Sequence, residues 1–291
     1  MRGPGWEIRE FRTTAGIESQ SIVLRAVPTI PNLPAEPMRV HILPTSVQGT
    51  PGHGLTGFVV DGILALDAGQ LGQCGTCQEQ SQIRDVLLTH SHIDHVAGLP
   101  TFLDNVYGIA STPPTLHALK PTLDALQTHL FSGQLWPDFI GLSRVMAPFV
   151  AIREVEPNRP FPCGRYTAIA IPLQHTVPTV AYLLDDGRDA FALMTDTSPV
   201  SELFEKIGRW PRLRGLFLEC SFPRRLHDLA NASQHLTTDQ FADAVALLPP
   251  GLPVYATHIK PRDYDETVSE LRALGLKNVQ IGEPGRVVEF R

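Results

Sequence analysis

Within Thr89-His-Ser-His-Ile-Asp-His95, four side chains of metal-binding type fall in six positions: His90, His92, Asp94 and His95. They follow an apolar run, Val86–Leu88, that reads as a buried strand. Residues two apart on an extended chain point the same way, so His90 and His92 present their imidazoles together. Asp94 and His95 are adjacent and open the next helix, so they diverge toward a second point. Neutral imidazole and carboxylate suit borderline first-row ions such as zinc, and this geometry suits two of them.

Two ions need more donors than four, and three other places resemble this one. Ile169–Leu173 ends at Gln174-His175, Phe191–Met194 at Thr195-Asp196-Thr197, and Val254–Thr257 at His258-Ile259-Lys260. Each is a polar residue just past an apolar strand, the position from which sites are assembled on the rim of a sheet.

The positioning elements follow from periodicity. Short apolar runs predict strands at 39–43, 56–60, 63–67, 85–89, 115–118, 149–155, 166–173, 179–184, 190–195, 214–220, 253–257 and 286–290. Helical spacing predicts 94–107, 121–131, 201–208, 237–248 and 264–274, with caps expected at Thr238/Asp239 and Asp265. Strands cluster, a helix follows, and strands cluster again. That order suggests an α/β chain whose two mixed sheets pack face to face with helices outside, a four-layer αββα sandwich. Residues 1–37 differ. Pro28, Pro31, Pro34 and Pro37 recur every third residue, as in an extended arm, so the folded domain is expected at 38–291.

Composition narrows the function. The net charge is −6 and the lysines are only Lys120, Lys206, Lys260 and Lys277, which disfavours a nucleic-acid partner. No apolar run is long enough for a membrane span and no secretory signal is written, so a cytoplasmic protein is expected. Cys74 and Cys77 form a Cys-x-x-Cys without the second pair a zinc ribbon requires. His41, His117, His129 and His227 have no spacing that recommends them.

His-x-His-x-Asp-His with a later His, Asp and His resembles the metallo-β-lactamase superfamily over residues 38–291. In detail the chain is similar to the class II 3′,5′-cyclic-nucleotide phosphodiesterases. The matching stretches are Leu64-Ala-Leu-Asp-Ala-Gly69, Thr89–Gly98, Leu135-Trp-Pro-Asp-Phe139, Phe217-Leu-Glu-Cys-Ser-Phe222 and Thr257-His-Ile-Lys260. The resemblance implies that His90, His92 and His175 hold one divalent ion and Asp94, His95 and His258 another, with Asp196 bridging. Zinc is the expected metal, and manganese and iron also accept this donor set. Two divalent ions set against two carboxylates and one bridging hydroxide leave a net positive charge, which suits an anionic phosphodiester.

By the same resemblance, His235 paired with Glu219 is the general acid for the leaving alkoxide; this chain has Gln234-His235, at an expected helix start, where the relatives have Gly-His. His53 in a rim loop, Trp136, Phe139 and Lys260 are candidate substrate contacts, the two aromatics by stacking on a base. The expected activity is hydrolysis of cAMP or cGMP to the 5′-nucleotide, with a small-molecule cyclic nucleotide as partner and a homodimer left open. The rivals are a tRNA 3′-end endonuclease or another phosphodiesterase on the same site, and a catalytically inactive cyclic-nucleotide-binding module.

Overall fold

The computed structural model describes residues 37–44, 54–146 and 148–290; residues 1–36 of the proline-rich arm and His53 lie outside them. The described strands are β1 (Met38–Ile42), β2 (Gly57–Val60), β3 (Leu64–Ala68), β4 (Asp85–Leu87), β5 (Thr115–Ala118), β6 (Ala151–Glu154) and β7 (Pro160–Cys163). They continue with β8 (Tyr166–Leu173), β9 (Thr179–Asp185), β10 (Ala190–Met194), β11 (Leu213–Glu219), β12 (Val254–Thr257), β13 (Val279–Ile281) and β14 (Val287–Phe290).

Two seven-stranded sheets result, ordered β14-β1-β2-β3-β4-β5-β6 and β13-β12-β11-β10-β9-β8-β7. Each changes direction at its fourth strand: the first is antiparallel from β14 to β3 and parallel from β3 to β6, and the second is parallel from β13 to β10 and antiparallel from β10 to β7. The expected αββα sandwich is the architecture observed. Its inner layer is one apolar cluster drawn from both sheets, including Phe58, Tyr166, Tyr182, Phe191, Phe217 and Phe290. Each such side chain stabilises the fold by about 1.5–3 kcal/mol relative to exposure. Gly215 on β11 has no Cβ because one would run into the Phe290 ring. Separate clusters pack the helices onto the outer faces.

The differences from the sequence reading are local. β7 reads Pro-Phe-Pro-Cys, an edge strand whose prolines mask its periodicity, and β13 has only three residues. The expected helix 94–107 is two pieces, Ile93–Val96 and Leu99–Val106. At the break, a Cβ on Gly98 would meet Leu71 N at 2.7 Å and Ala68 O at 2.8 Å, so the helix turns where β3 must pass. Helix Thr238–Ala246 is capped by Thr237, not Thr238, in a reciprocal box with Gln240, and the N-cap position of helix Tyr264–Ala273 falls on Asp263, not Asp265, without a side-chain capping bond. Strand β4 stops at Leu87, earlier than expected, because the following residues turn to cross-link the sheets. Val180 N donates to Thr89 O at 3.1 Å, and Tyr182 Oη donates to Leu88 O at 3.1 Å.

Candidate metal centre

The strand ends named in the sequence meet on one rim, around Asp196. Its Oδ2 lies 3.5 Å from both His90 Nε2 and His175 Nε2. Its Oδ1 lies 3.4 Å from His95 Nε2 and 3.3 Å from His258 Nε2. Asp94 Oδ2 is 3.4 Å from His258 Nε2 and 3.9 Å from His95 Nε2. His92 lies beside His175, its Nδ1 3.3 Å from His175 Nε2. The structure thus assembles the donor groups His90/His92/His175/Asp196 and Asp94/His95/His258, with Asp196, His235 and His258 forming a third that overlaps both.

Each converging ring is held from behind. His95 Nδ1–H donates to Asp67 Oδ2 at 2.7 Å. Thr89 Oγ1 donates to the same carboxylate at 2.9 Å and lies 3.0 Å from His90 Nδ1, so the hydroxyl oxygen is left to accept from that ring. His175 Nδ1 bonds to Gln234 O at 3.1 Å. His258 Nδ1 lies 3.0 Å from Ser221 Oγ, which donates to Glu219 Oε2 at 2.6 Å. With the Nδ1 atoms of His90, His95, His175 and His258 carrying the proton, their four Nε2 lone pairs face carboxylate oxygens, whereas His92 Nε2 lies 3.4 Å from Thr176 Oγ1. Acceptor then faces acceptor, and His90 Nε2, His95 Nε2 and Asp196 Oδ1 are buried without a hydrogen-bond partner. Buried polar atoms are rarely left so, and cations between them satisfy both sides. The donor set therefore fits divalent metal ions.

The electrostatics follow from burial and crowding. Desolvation opposes charge on Asp196, but His258, His95 and His90 outweigh it and hold its carboxyl well below the usual range. Burial, reinforced by His95, pushes His90 well down, in the neutral form a ligand needs. Burial likewise lowers His175 to about 4.

The backbone is bent to match. Of six non-glycine residues with positive φ among the described ones, four line this centre: Asp67 (56°), Asp196 (45°), Gln234 (58°) and His258 (58°). Such strain gathers where surrounding structure holds a functional side chain in place. Gln234 ends helix His227–Ser233 in the left-handed conformation, a turn that usually favours glycine. Its carbonyl holds His175, and the next residue is His235.

His235 therefore lies on the link between two helices, two residues before the cap Thr237, not at a helix start. Its Nδ1 is 3.0 Å from Glu219 Oε1, and its Nε2 points toward the centre, 4.0 Å from Asp196 Oδ2. Burial disfavours charge on His235, yet the Glu219 carboxylate outweighs it and raises the pKa above the ordinary value. Glu219 is fully buried and also accepts from Thr197 N at 2.6 Å.

Lys260 Nζ reaches the rim, 3.4 Å from both Asp94 Oδ2 and His258 Nε2. Phe139 does not. It is 5% exposed, stacks on Phe149 at 4.2 Å, and serves the helical layer instead of offering a face to a base. Trp136 packs edge-on to Phe139 at 6.4 Å. Cys74 and Cys77 are free thiols beside the helix Cys77–Gln80. Asp67, Thr89 and Ser221 went unassigned in the sequence. The signal for Asp67 is a carboxylate inside the buried run Leu64-Ala-Leu-Asp-Ala.

The chain belongs to the metallo-β-lactamase superfamily: the family described as beta-lactamase superfamily domain matches residues 59–259. Its relatives include a 3′,5′-cyclic-nucleotide phosphodiesterase of Aliivibrio fischeri, 26% identical over 195 residues, which are 58% of this chain and 54% of that protein. A ribonuclease Z of Thermosynechococcus vestitus is 32% identical over 109 residues, 37% of this chain and 24% of that one. The chain thus spans about half or less of the length of these curated relatives. Unliganded yeast PDE1 shares the fold with a TM-score of 0.71 at 19% identity, covering 88% of this chain and 100% of that one. The chain therefore has the metallo-β-lactamase fold. Among the described residues no helix is long and apolar enough to cross a membrane.

Proposed function

We propose that the protein is a phosphodiesterase that opens the 3′,5′-cyclic phosphate of cAMP or cGMP to the 5′-nucleotide, using two divalent ions, zinc by preference. The observation that carries this reading is the division of Asp196, one oxygen toward His90 and His175, the other toward His95 and His258. When bound, the two ions supply an activated water and neutralise phosphoryl oxygens. His90, His92 and His175 would hold one ion and Asp94, His95 and His258 the other, with Asp196 shared.

The chain's own residues do the remaining work. His235 gives its Nε2 proton to the departing 3′-oxygen, while Glu219 holds Nδ1 and stabilises the charged ring. Lys260 presents an ammonium group to the phosphate at the open side of the centre. The similarity to cyclic-nucleotide phosphodiesterases supports the substrate class. The similarity to ribonuclease Z supports tRNA 3′-end cleavage as the second reading, but a net charge of −6 disfavours a polyanionic substrate. An inactive cyclic-nucleotide-binding module would not need the complete donor set seen here.

The test is metal analysis of purified protein followed by turnover of cAMP, cGMP, a linear aryl phosphodiester and precursor tRNA. Two ions per chain and fastest turnover of a cyclic nucleotide are expected. One ion or none in an active preparation would remove the two-ion mechanism, and preference for precursor tRNA would replace the substrate.

A further inference from the structure

A second mixed-donor cluster lies away from the rim just described. Asp85 opens β4, at the other end of that strand from His90, and pairs in register with Thr115 on β5, while Leu87 pairs with His117. Parallel pairing puts Asp85, Leu87 and His117 on one face, and Leu87 belongs to the core between the sheets. Cys163, the last residue of β7, reaches the same place from the opposite sheet and belongs to the same core. One donor atom from each of Asp85, His117 and Cys163 lies within 4.8 Å of the others.

The surroundings are those of a site more than of a chance contact. His117 and Cys163 are each 1% exposed. The Asp85 side chain keeps 16% exposure, so the cluster reaches solvent through this carboxylate. His117 Nε2 lies 2.7 Å from Asp85 Oδ1, whereas its Nδ1 is buried with no partner. Phe161 stacks on the imidazole at 5.5 Å and closes it from solvent. Sulfur, imidazole and carboxylate together are a zinc donor set, with the fourth position left for water.

We propose that Asp85, His117 and Cys163 form a separate site for a thiophilic divalent ion of the zinc class, cross-linking the two sheets. Burial and the adjacent Asp85 hold the Cys163 thiol protonated in the metal-free chain, so binding forms a metal–sulfur bond and releases one proton. The rim centre contains no sulfur donor. With Cys74 and Cys77 replaced, a thiolate signature therefore separates this site from the rim centre, whatever the substrate of the other.

The probe is Co2+, titrated into the full chain carrying Cys74→Ser and Cys77→Ser so that the Cys-x-x-Cys pair cannot contribute. A thiolate-to-cobalt charge-transfer band saturating at one ion per chain is expected. It should vanish in Cys163→Ser and persist in His92→Ala. With zinc bound, the thermal midpoint should rise further in the parent than in Cys163→Ser, while phosphodiester turnover in that variant stays within about twofold, because the cluster takes no part in the reaction. His117→Gln should weaken cobalt binding at least tenfold and serves if Cys163→Ser folds poorly. Absence of the band from the parent, or its survival in Cys163→Ser, would overturn the proposal and leave a hydrogen-bonded trio.

Discussion

Ser221 Oγ donates a 2.6 Å hydrogen bond to Glu219 Oε2 and lies 3.0 Å from His258 Nδ1. One carboxylate thereby serves two histidines, His235 directly and His258 through a hydroxyl. The other sheet repeats the device: Asp67 holds His95 directly and His90 through Thr89. Partners behind a ligand commonly change metal affinity by about 10–100-fold when removed. Ser221→Ala should therefore weaken metal binding by roughly tenfold, measured by competition with a chromophoric chelator. Unchanged affinity would leave the hydroxyl a packing role only.

His235→Ala should keep both donor groups intact and lose about 10²–10⁴-fold in rate on cAMP, the usual contribution of general acid catalysis. A p-nitrophenolate leaves without a proton, so the loss on a p-nitrophenyl phosphodiester should be far smaller. Equal losses on both substrates, or a lost ion, would make His235 a ligand instead of an acid.

The pH dependence follows from Glu219. Burial opposes a proton on His235, and the carboxylate beside it more than compensates, so the acid form persists above the ordinary imidazole range. Activity that needs this form is lost as pH rises through the raised value. Glu219→Gln removes the charge and leaves burial, so the basic limb of kcat/KM should move to lower pH. A pH–rate profile checks it, and an unmoved limb would assign that ionisation elsewhere.

Gly69 is set against the backbone of a ligand. A Cβ there would run into Asp94 O and come within 2.6 Å of Thr56 N, which itself donates to Asp94 O at 2.7 Å. Gly69→Ala should displace Asp94 and reduce turnover by about 10²-fold, the scale of a misplacement near 1 Å. Metal content should fall with it, and a variant with full metal and rate would show that the backbone yields.

The sequence alone determined the donors and the strands that carry them. His90, His92, Asp94 and His95 are close in the chain, and alternation on a strand is a local property, as is an apolar run ended by a polar residue at His175, Asp196 and His258. Clustered strands separated by helices suggest the layers, but the resemblance carried by the His-x-His-x-Asp-His motif is what points to the four-layer sandwich. What no local pattern contains is which carboxylate meets which imidazole. The pairing of Glu219 with His235 across 16 positions is expected only through the family resemblance, whereas Asp67 joins His95 across 28 positions, a pair only the packed sheets select. The same holds for Phe139, whose place against Phe149 depends on how the outer layer closes. His117 has no neighbour in the sequence to mark it; Asp85 and Cys163 reach it from separate strands, one of them in the other sheet. Tertiary structure decided these contacts because hydrogen bonds and metal coordination act over a few ångströms of space, whatever the distance along the chain.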